Sequence, residues 1–121
     1  MCGIAGFYNS DGRYSVNEKY WENILDKMNE VQKHRGPDDE GNLITPKCGL
    51  AHVRLSIIDI DNGHQPMVRT EGKRKCAIVY NGEIYNMKEL REHLSYVGTH
   101  FMTHSDTEVI LAGYMRYGEK F

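Results

Sequence analysis

The chain has 121 residues, 40 % of them hydrophobic and 26 % charged, with a formal net charge of −2, the composition of one ordinary soluble domain. That balance gives no reason to expect nucleic acid or a membrane surface as a partner, and no apolar run approaches the ~18 residues of a membrane helix. Three cysteines, Cys2, Cys48 and Cys76, are an odd number without CxxC spacing, which speaks against a disulfide framework and a zinc site and points to a reducing cytoplasm.

In chain order, Gly3 to Tyr8 reads as a short buried strand ended by the turn Asn9-Ser10-Asp11-Gly12. From Asn17 to His34 the apolar residues Trp21, Ile24, Leu25, Met28 and Val31 recur at three- and four-residue intervals, so an amphipathic helix is predicted, stopped by Gly36 and Pro37. A strand pair follows, Asn42 to Thr45 and Gly49 to Ile60, turning at Pro46-Lys47. The charged stretch from Arg69 to Lys75 reads as a solvated loop. Cys76 to Tyr80 is a further strand, after which Asn81-Gly82 is either a tight hairpin turn or a strand end that presents backbone amides. Two more helices are predicted, one from about Asn86 with Met87, Leu90, Leu94 and Val97 on one face. The other opens at Ser105, where Glu108 three residues on completes a capping box, preceded by an extended stretch from Thr99 to Thr103. No repeat or internal domain boundary interrupts residues 1–121.

The chemistry begins at Cys2. Removal of Met1 would make it the N-terminus, giving one residue both a thiol nucleophile and an α-amine that titrates near ~7.7–8.0. On its own a free cysteine is better explained as a small buried hydrophobe in a first strand, its commoner fate. His34-Arg35-Gly36-Pro37 serves equally as a helix stop or as part of a site, and His64-Gln65-Pro66 reads as loop structure. His100 and His104 are four apart, but the stretch holding them is not helical and offers no acidic third ligand, so no metal site is assigned.

Six segments stand in a fixed order: Cys2-Gly3-Ile4-Ala5-Gly6, His34-Arg35-Gly36-Pro37-Asp38-Asp39, Arg54-Leu55-Ser56-Ile57-Ile58-Asp59, Gly63-His64-Gln65-Pro66-Met67, Tyr80-Asn81-Gly82-Glu83-Ile84-Tyr85-Asn86 and His104-Ser105-Asp106-Thr107-Glu108. Together they closely resemble the glutaminase domain of glutamine-hydrolysing asparagine synthetases, class II amidotransferases of the N-terminal-nucleophile hydrolase type. The resemblance covers essentially the whole chain. It implies an α+β fold, the αββα sandwich with antiparallel sheets between helical layers. It also implies glutamine hydrolysis through a γ-glutamyl thioester on Cys2, with the Asn81 side chain and the Gly82 N–H as oxyanion donors. In the family, the segment matching Arg54, Leu55, Ser56, Ile57 and Ile58 lines the glutamine site. There the arginine takes the α-carboxylate, and the matches to Glu83 and Asp106 take the α-ammonium.

Too few strands are found here for the complete sandwich, so the chain is expected to be an N-terminal fragment, a glutaminase domain shortened at its C-terminal end. No cofactor is expected in this domain. ATP and magnesium belong to the synthetase domain, which is absent and which would receive the ammonia. The isolated fragment is expected to self-associate and to hydrolyse little glutamine. Two competing readings stand: a non-catalytic or regulatory domain of the same fold, and an amidotransferase of a related branch with another acceptor.

Overall fold

The computed structural model describes residues 1–55 and 63–121. Strand β1 is Gly3–Tyr8, helix α1 Glu18–Gln32, strands β2 and β3 Asp39–Ile44 and Cys48–Arg54, strands β4 and β5 Met67–Glu71 and Arg74–Ile78, and helices α2 and α3 Met87–Tyr96 and Asp106–Tyr117. The fold is α+β. One antiparallel sheet has the order β1-β3-β2 and the other is the β4-β5 hairpin.

Alternation along β1 sends Gly3, Ala5 and Phe7 toward α1 and leaves Ile4, Gly6 and Tyr8 on the outer face. The register Gly3 to Val53, Ala5 to Ala51 and Phe7 to Gly49 continues that inner face across β3. Gly49 leaves room for the Phe7 ring, which packs on Tyr14 and Trp21 with centroids 4.6 and 5.5 Å away. Leu25, Ala51 and Val53 are fully buried between helix and sheet. The apolar stripe of α1 ends earlier than its periodicity predicts. Val31 is exposed, and Asn29 is buried instead, donating to the Gly41 carbonyl at 2.9 Å while it accepts from Gln32. The last turn of α1 thus overlies the polar end of the sheet, where Cys2 lies.

A second core forms where α2 crosses α3. Leu94, Val109 and Ala112 are buried there, with Met87, Leu90 and Phe101 packed against them.

Several boundaries differ from the sequence reading. The helix predicted to His34 ends at Gln32 and tightens into a 3-10 turn over Lys33–Arg35. β2 begins at Asp39, three residues early, because Asp39 still pairs with Arg54. β3 ends at Arg54; Leu55 has left the strand, and residues 56–60 of the predicted run lie outside the described residues. The stretch Arg69 to Lys75 is not a loop: it lies within the β4-β5 hairpin, turning at Gly72, whose φ of 61° suits glycine. Its charges mislead because the hairpin face they occupy is solvated, and Arg69 is engaged by Glu71 and by the His100 carbonyl. With β4 included, the described residues hold five strands rather than about four.

β5 stops at Ile78, so Asn81-Gly82 closes no hairpin; the chain bends at Gly82 and runs on into α2. The capping box of α3 forms by half. Ser105 Oγ accepts from Thr107 N at 3.1 Å, but the Glu108 carboxylate reaches past the cap to accept from the backbone N–H groups of Met102 and Thr103, each at 2.9 Å. Those bonds fold residues 102–104 into bends where an extended stretch was expected.

Candidate active site

The site is assembled at the end of the first sheet where β1 starts and β3 finishes. Cys2 is one residue ahead of the Gly3–Val53 pair, so the register brings it beside Arg54. Its Sγ points to the Leu55 carbonyl at 3.9 Å, a sulfur hydrogen-bond distance, and its own carbonyl accepts from Arg35 Nε at 3.1 Å. Arg35 therefore does more than end a helix. The next residues seal onto β3: Pro37 bridges to Arg54, Asp38 N donates to the Arg54 carbonyl at 3.0 Å, and Gly36 lies so close to the Val53–Arg54 backbone that any side chain would collide with it. This explains Gly36-Pro37 as site architecture as well as a helix stop.

Arg54 projects from the outer face of β3 into a cavity of about 480 Å³ lined by Gly63, Glu83, Ile84, Met87, His104, Ser105 and Asp106. That volume falls within the ~300–1,000 Å³ of small-molecule sites. Three elements supply its charges: the strand end Arg54, the segment before α2 Glu83, and the first turn of α3 Asp106. Gly63 lies against the Arg54 guanidinium, and a Cβ there would push that guanidinium aside. A cation facing two carboxylates across a cavity of this size is complementary to a zwitterionic amino acid, whose carboxylate needs a fork of donors and whose ammonium needs acceptors.

Of the residues picked out from sequence, Arg54, Glu83 and Asp106 are brought together around the cavity. Leu55 contributes its carbonyl to the Cys2 thiol. Asn81 and Gly82 are exposed, in the segment between Tyr80 and Glu83, and are not part of the cavity lining. Ser56, Ile57 and Ile58 lie outside the described residues. Sequence reasoning missed Gly63, Ile84, Met87, His104 and Ser105 as lining residues, although four of them fall inside segments already singled out and Met87 directly follows one. Among the described residues no group of three His, Cys, Asp or Glu side chains could hold a metal ion.

Tyr80 is held from several sides. Its N–H donates to Gln65 Oε1 at 2.6 Å, and its carbonyl accepts from Nε2 of buried His52 at 3.2 Å. His52 Nδ1 has no partner, and burial pushes the His52 pKa below 6.5 despite the opposing bond to Tyr80. The ring is therefore the neutral Nε2–H tautomer, since of the two neutral forms only this one can donate to the Tyr80 carbonyl. The Tyr80 hydroxyl folds over Gly82, and burial first, then the charges of Asp106 and Glu83, push its pKa above 10. It stays a phenol at neutral pH.

A family model described as a glutamine amidotransferase domain matches residues 1–121. The chain belongs to that family. This amidotransferase domain is 42 % identical over 120 residues to glutamine-hydrolysing asparagine synthetase 1 of Bacillus subtilis, covering 99 % of the chain and 18 % of that protein. It is 46 % identical over 121 residues to asparagine synthetase 2 of Arabidopsis thaliana, covering all of the chain and 20 % of that protein. A Penicillium rubens protein named as an amidase is 36 % identical over 132 residues, covering all of the chain and 19 % of that protein. The domain thus spans about a fifth of the length of the curated relatives it matches. Among its described residues no helix is long and apolar enough to cross a membrane.

Proposed function

We propose that the domain hydrolyses the side-chain amide of L-glutamine with Cys2, made N-terminal by removal of Met1, as nucleophile. The observation that carries this reading is the convergence of Arg54, Glu83 and Asp106 on one cavity at the strand end where the Cys2 thiol meets the Leu55 carbonyl. Arg54 binds the α-carboxylate of glutamine, and Glu83 and Asp106 bind the α-ammonium. The α-amine of Cys2 takes the thiol proton, and the thiolate adds to the amide carbonyl. The resulting oxyanion accepts hydrogen bonds from the Asn81 side chain and the Gly82 N–H. Collapse breaks the C–N bond as the amine returns its proton to the departing ammonia, leaving a γ-glutamyl thioester. Water, deprotonated by the same amine, then releases glutamate and the thiol. Ser56, Ile57 and Ile58 would complete the glutamine site.

The two antiparallel sheets and their helices support assigning residues 1–121 to the αββα sandwich of N-terminal-nucleophile hydrolases. In the whole protein the ammonia would pass to an ATP- and magnesium-dependent synthetase domain that makes asparagine in the cytoplasm, a compartment in keeping with three free thiols. A related branch with a different acceptor is the second reading, favoured by the likeness to a protein named as an amidase. Self-association of the isolated domain is inferred from Ile4 and Tyr8, 51 % and 71 % exposed on the outer face of β1.

The test is Cys2→Ala in the full-length protein. Glutamine-dependent activity should vanish while synthesis from added ammonia persists, since only the first reaction uses the thiol. Unchanged glutamate production would refute the assignment.

A further inference from the structure

The segment Gly63-His64-Gln65-Pro66-Met67 gives no chemistry from sequence, yet Gln65 is 7 % exposed and both ends of its amide are engaged. Its Oε1 accepts from Tyr80 N at 2.6 Å, and its Nε2 donates to Thr107 Oγ1 at 3.2 Å. The amide can sit only one way round, because a backbone N–H cannot accept a hydrogen bond. Thr107 is itself 2 % exposed and stands in the first turn of α3, directly after Asp106. Tyr80 stands directly before Asn81 and Gly82.

One buried side chain therefore spans two segments that approach the site from different elements. Among the described residues, few other bonds fix the first of them. Past β5, the Tyr80 N–H is tied by Gln65 and the Tyr80 carbonyl by His52, whereas Asn81 and Gly82 are exposed. Their placement relative to α3 then depends on Tyr80, and an error of about 1 Å at reacting groups can cost ~10²-fold in rate.

We propose that Gln65 is a positioning residue for glutamine hydrolysis, a brace that sets the distance between the Asn81-Gly82 oxyanion donors and the Asp106 ammonium acceptor. The proposal rests on the glutaminase reading above. A brace of this kind acts on the transition state, since the donors are needed only once charge develops on the substrate oxygen. Removing it should lower kcat and leave KM nearly unchanged.

The test measures steady-state glutamine hydrolysis by the full-length protein and its Gln65→Leu, Gln65→Glu, Thr107→Val and Gln65→Leu/Thr107→Val variants, with rates taken per folded molecule. Gln65→Leu should cut kcat about 10- to 100-fold, part of what loss of an oxyanion donor costs, and shift KM less than about threefold. Gln65→Glu keeps an acceptor for Tyr80 N, and the Thr107 hydroxyl can turn to donate, so it should recover most of kcat. Thr107→Val cuts one tie and should give an intermediate loss, and the double variant should be no slower than Gln65→Leu because the two groups act as one unit. If Gln65→Leu does not fold, Thr107→Val and Gln65→Glu decide. An unchanged kcat in Thr107→Val, or a kcat and KM that move together, overturns the brace while the glutaminase reading stands. A wild-type protein that releases no glutamate overturns both.

Discussion

Glu108→Gln is the most quantitative probe of how α3 supports the site. Glu108 is 4 % exposed, and its carboxylate serves the backbone N–H groups of Met102 and Thr103 through four contacts of 2.9 to 3.3 Å. The amide keeps one oxygen, which already lies 2.9 Å from both donors, but replaces the other with an NH₂ facing an N–H. Hydrogen bonds to a charged group contribute ~1.5–3 kcal/mol each and neutral ones ~0.5–1.5. Downgrading two bonds therefore costs about 2 kcal/mol, with a few tenths more from the lost charge at a helix N-terminus. For a domain of this size that corresponds to a fall of about 8 °C in Tm, measured by thermal unfolding under reversible conditions. Glu108→Leu strands both N–H groups and should fall by about twice as much. Because residues 104–106 line the cavity, both variants should also raise KM for glutamine. A shift in Tm below about 2 °C for Glu108→Gln would show that the 102–104 bends are held by something other than this carboxylate.

Arg54→Lys should raise KM for glutamine about tenfold or more with a smaller effect on kcat, because a point charge cannot reproduce a guanidinium fork; an unchanged KM removes Arg54 from the site. Stability should fall as pH drops below about 6.5, because burial holds His52 below its unfolded value of 6.5. In that range the unfolded chain binds the extra proton, so the His52 contribution is full above the unfolded value and lost as pH falls through the folded one. Urea midpoints at pH 7 and pH 5 for wild type and His52→Gln check this, and equal pH slopes would refute it. Light scattering on the isolated domain should show dimers or larger species that Ile4→Lys with Tyr8→Lys disperses, and a wild-type monomer at micromolar concentration would contradict the inferred self-association.

The parts of the fold legible in the sequence are those where burial is one-sided. β1 alternates because one face meets α1, and α1 shows its period until Asn29 and Gln32 take over the inner face. Of the β4-β5 hairpin only the apolar end of β5, from Cys76, was legible; β4 and the turn were not, because their exposed face is written in charged residues. In the site, Arg54, Glu83 and Asp106 were legible as charges within a recognisable order of segments. Gln65 was not, and Arg35 was legible only as one of two alternatives, since Gln65 acts on the Tyr80 backbone and Arg35 on that of Cys2, and backbone leaves no signature in side-chain pattern.

Among the described residues β1 pairs only with β3, the strand that ends at Arg54. During synthesis this partner strand is complete only when some fifty residues have followed β1, and at ~5–20 residues per second that interval lasts on the order of seconds. For that time the β1–β3 ladder that later holds the N-terminus cannot form, which leaves the first residues open to an aminopeptidase. Afterwards Arg35 and Leu55 close around Cys2. Under the proposed mechanism, the order of the strands leaves a window in which Met1 can be trimmed before Arg35 and Leu55 close around Cys2.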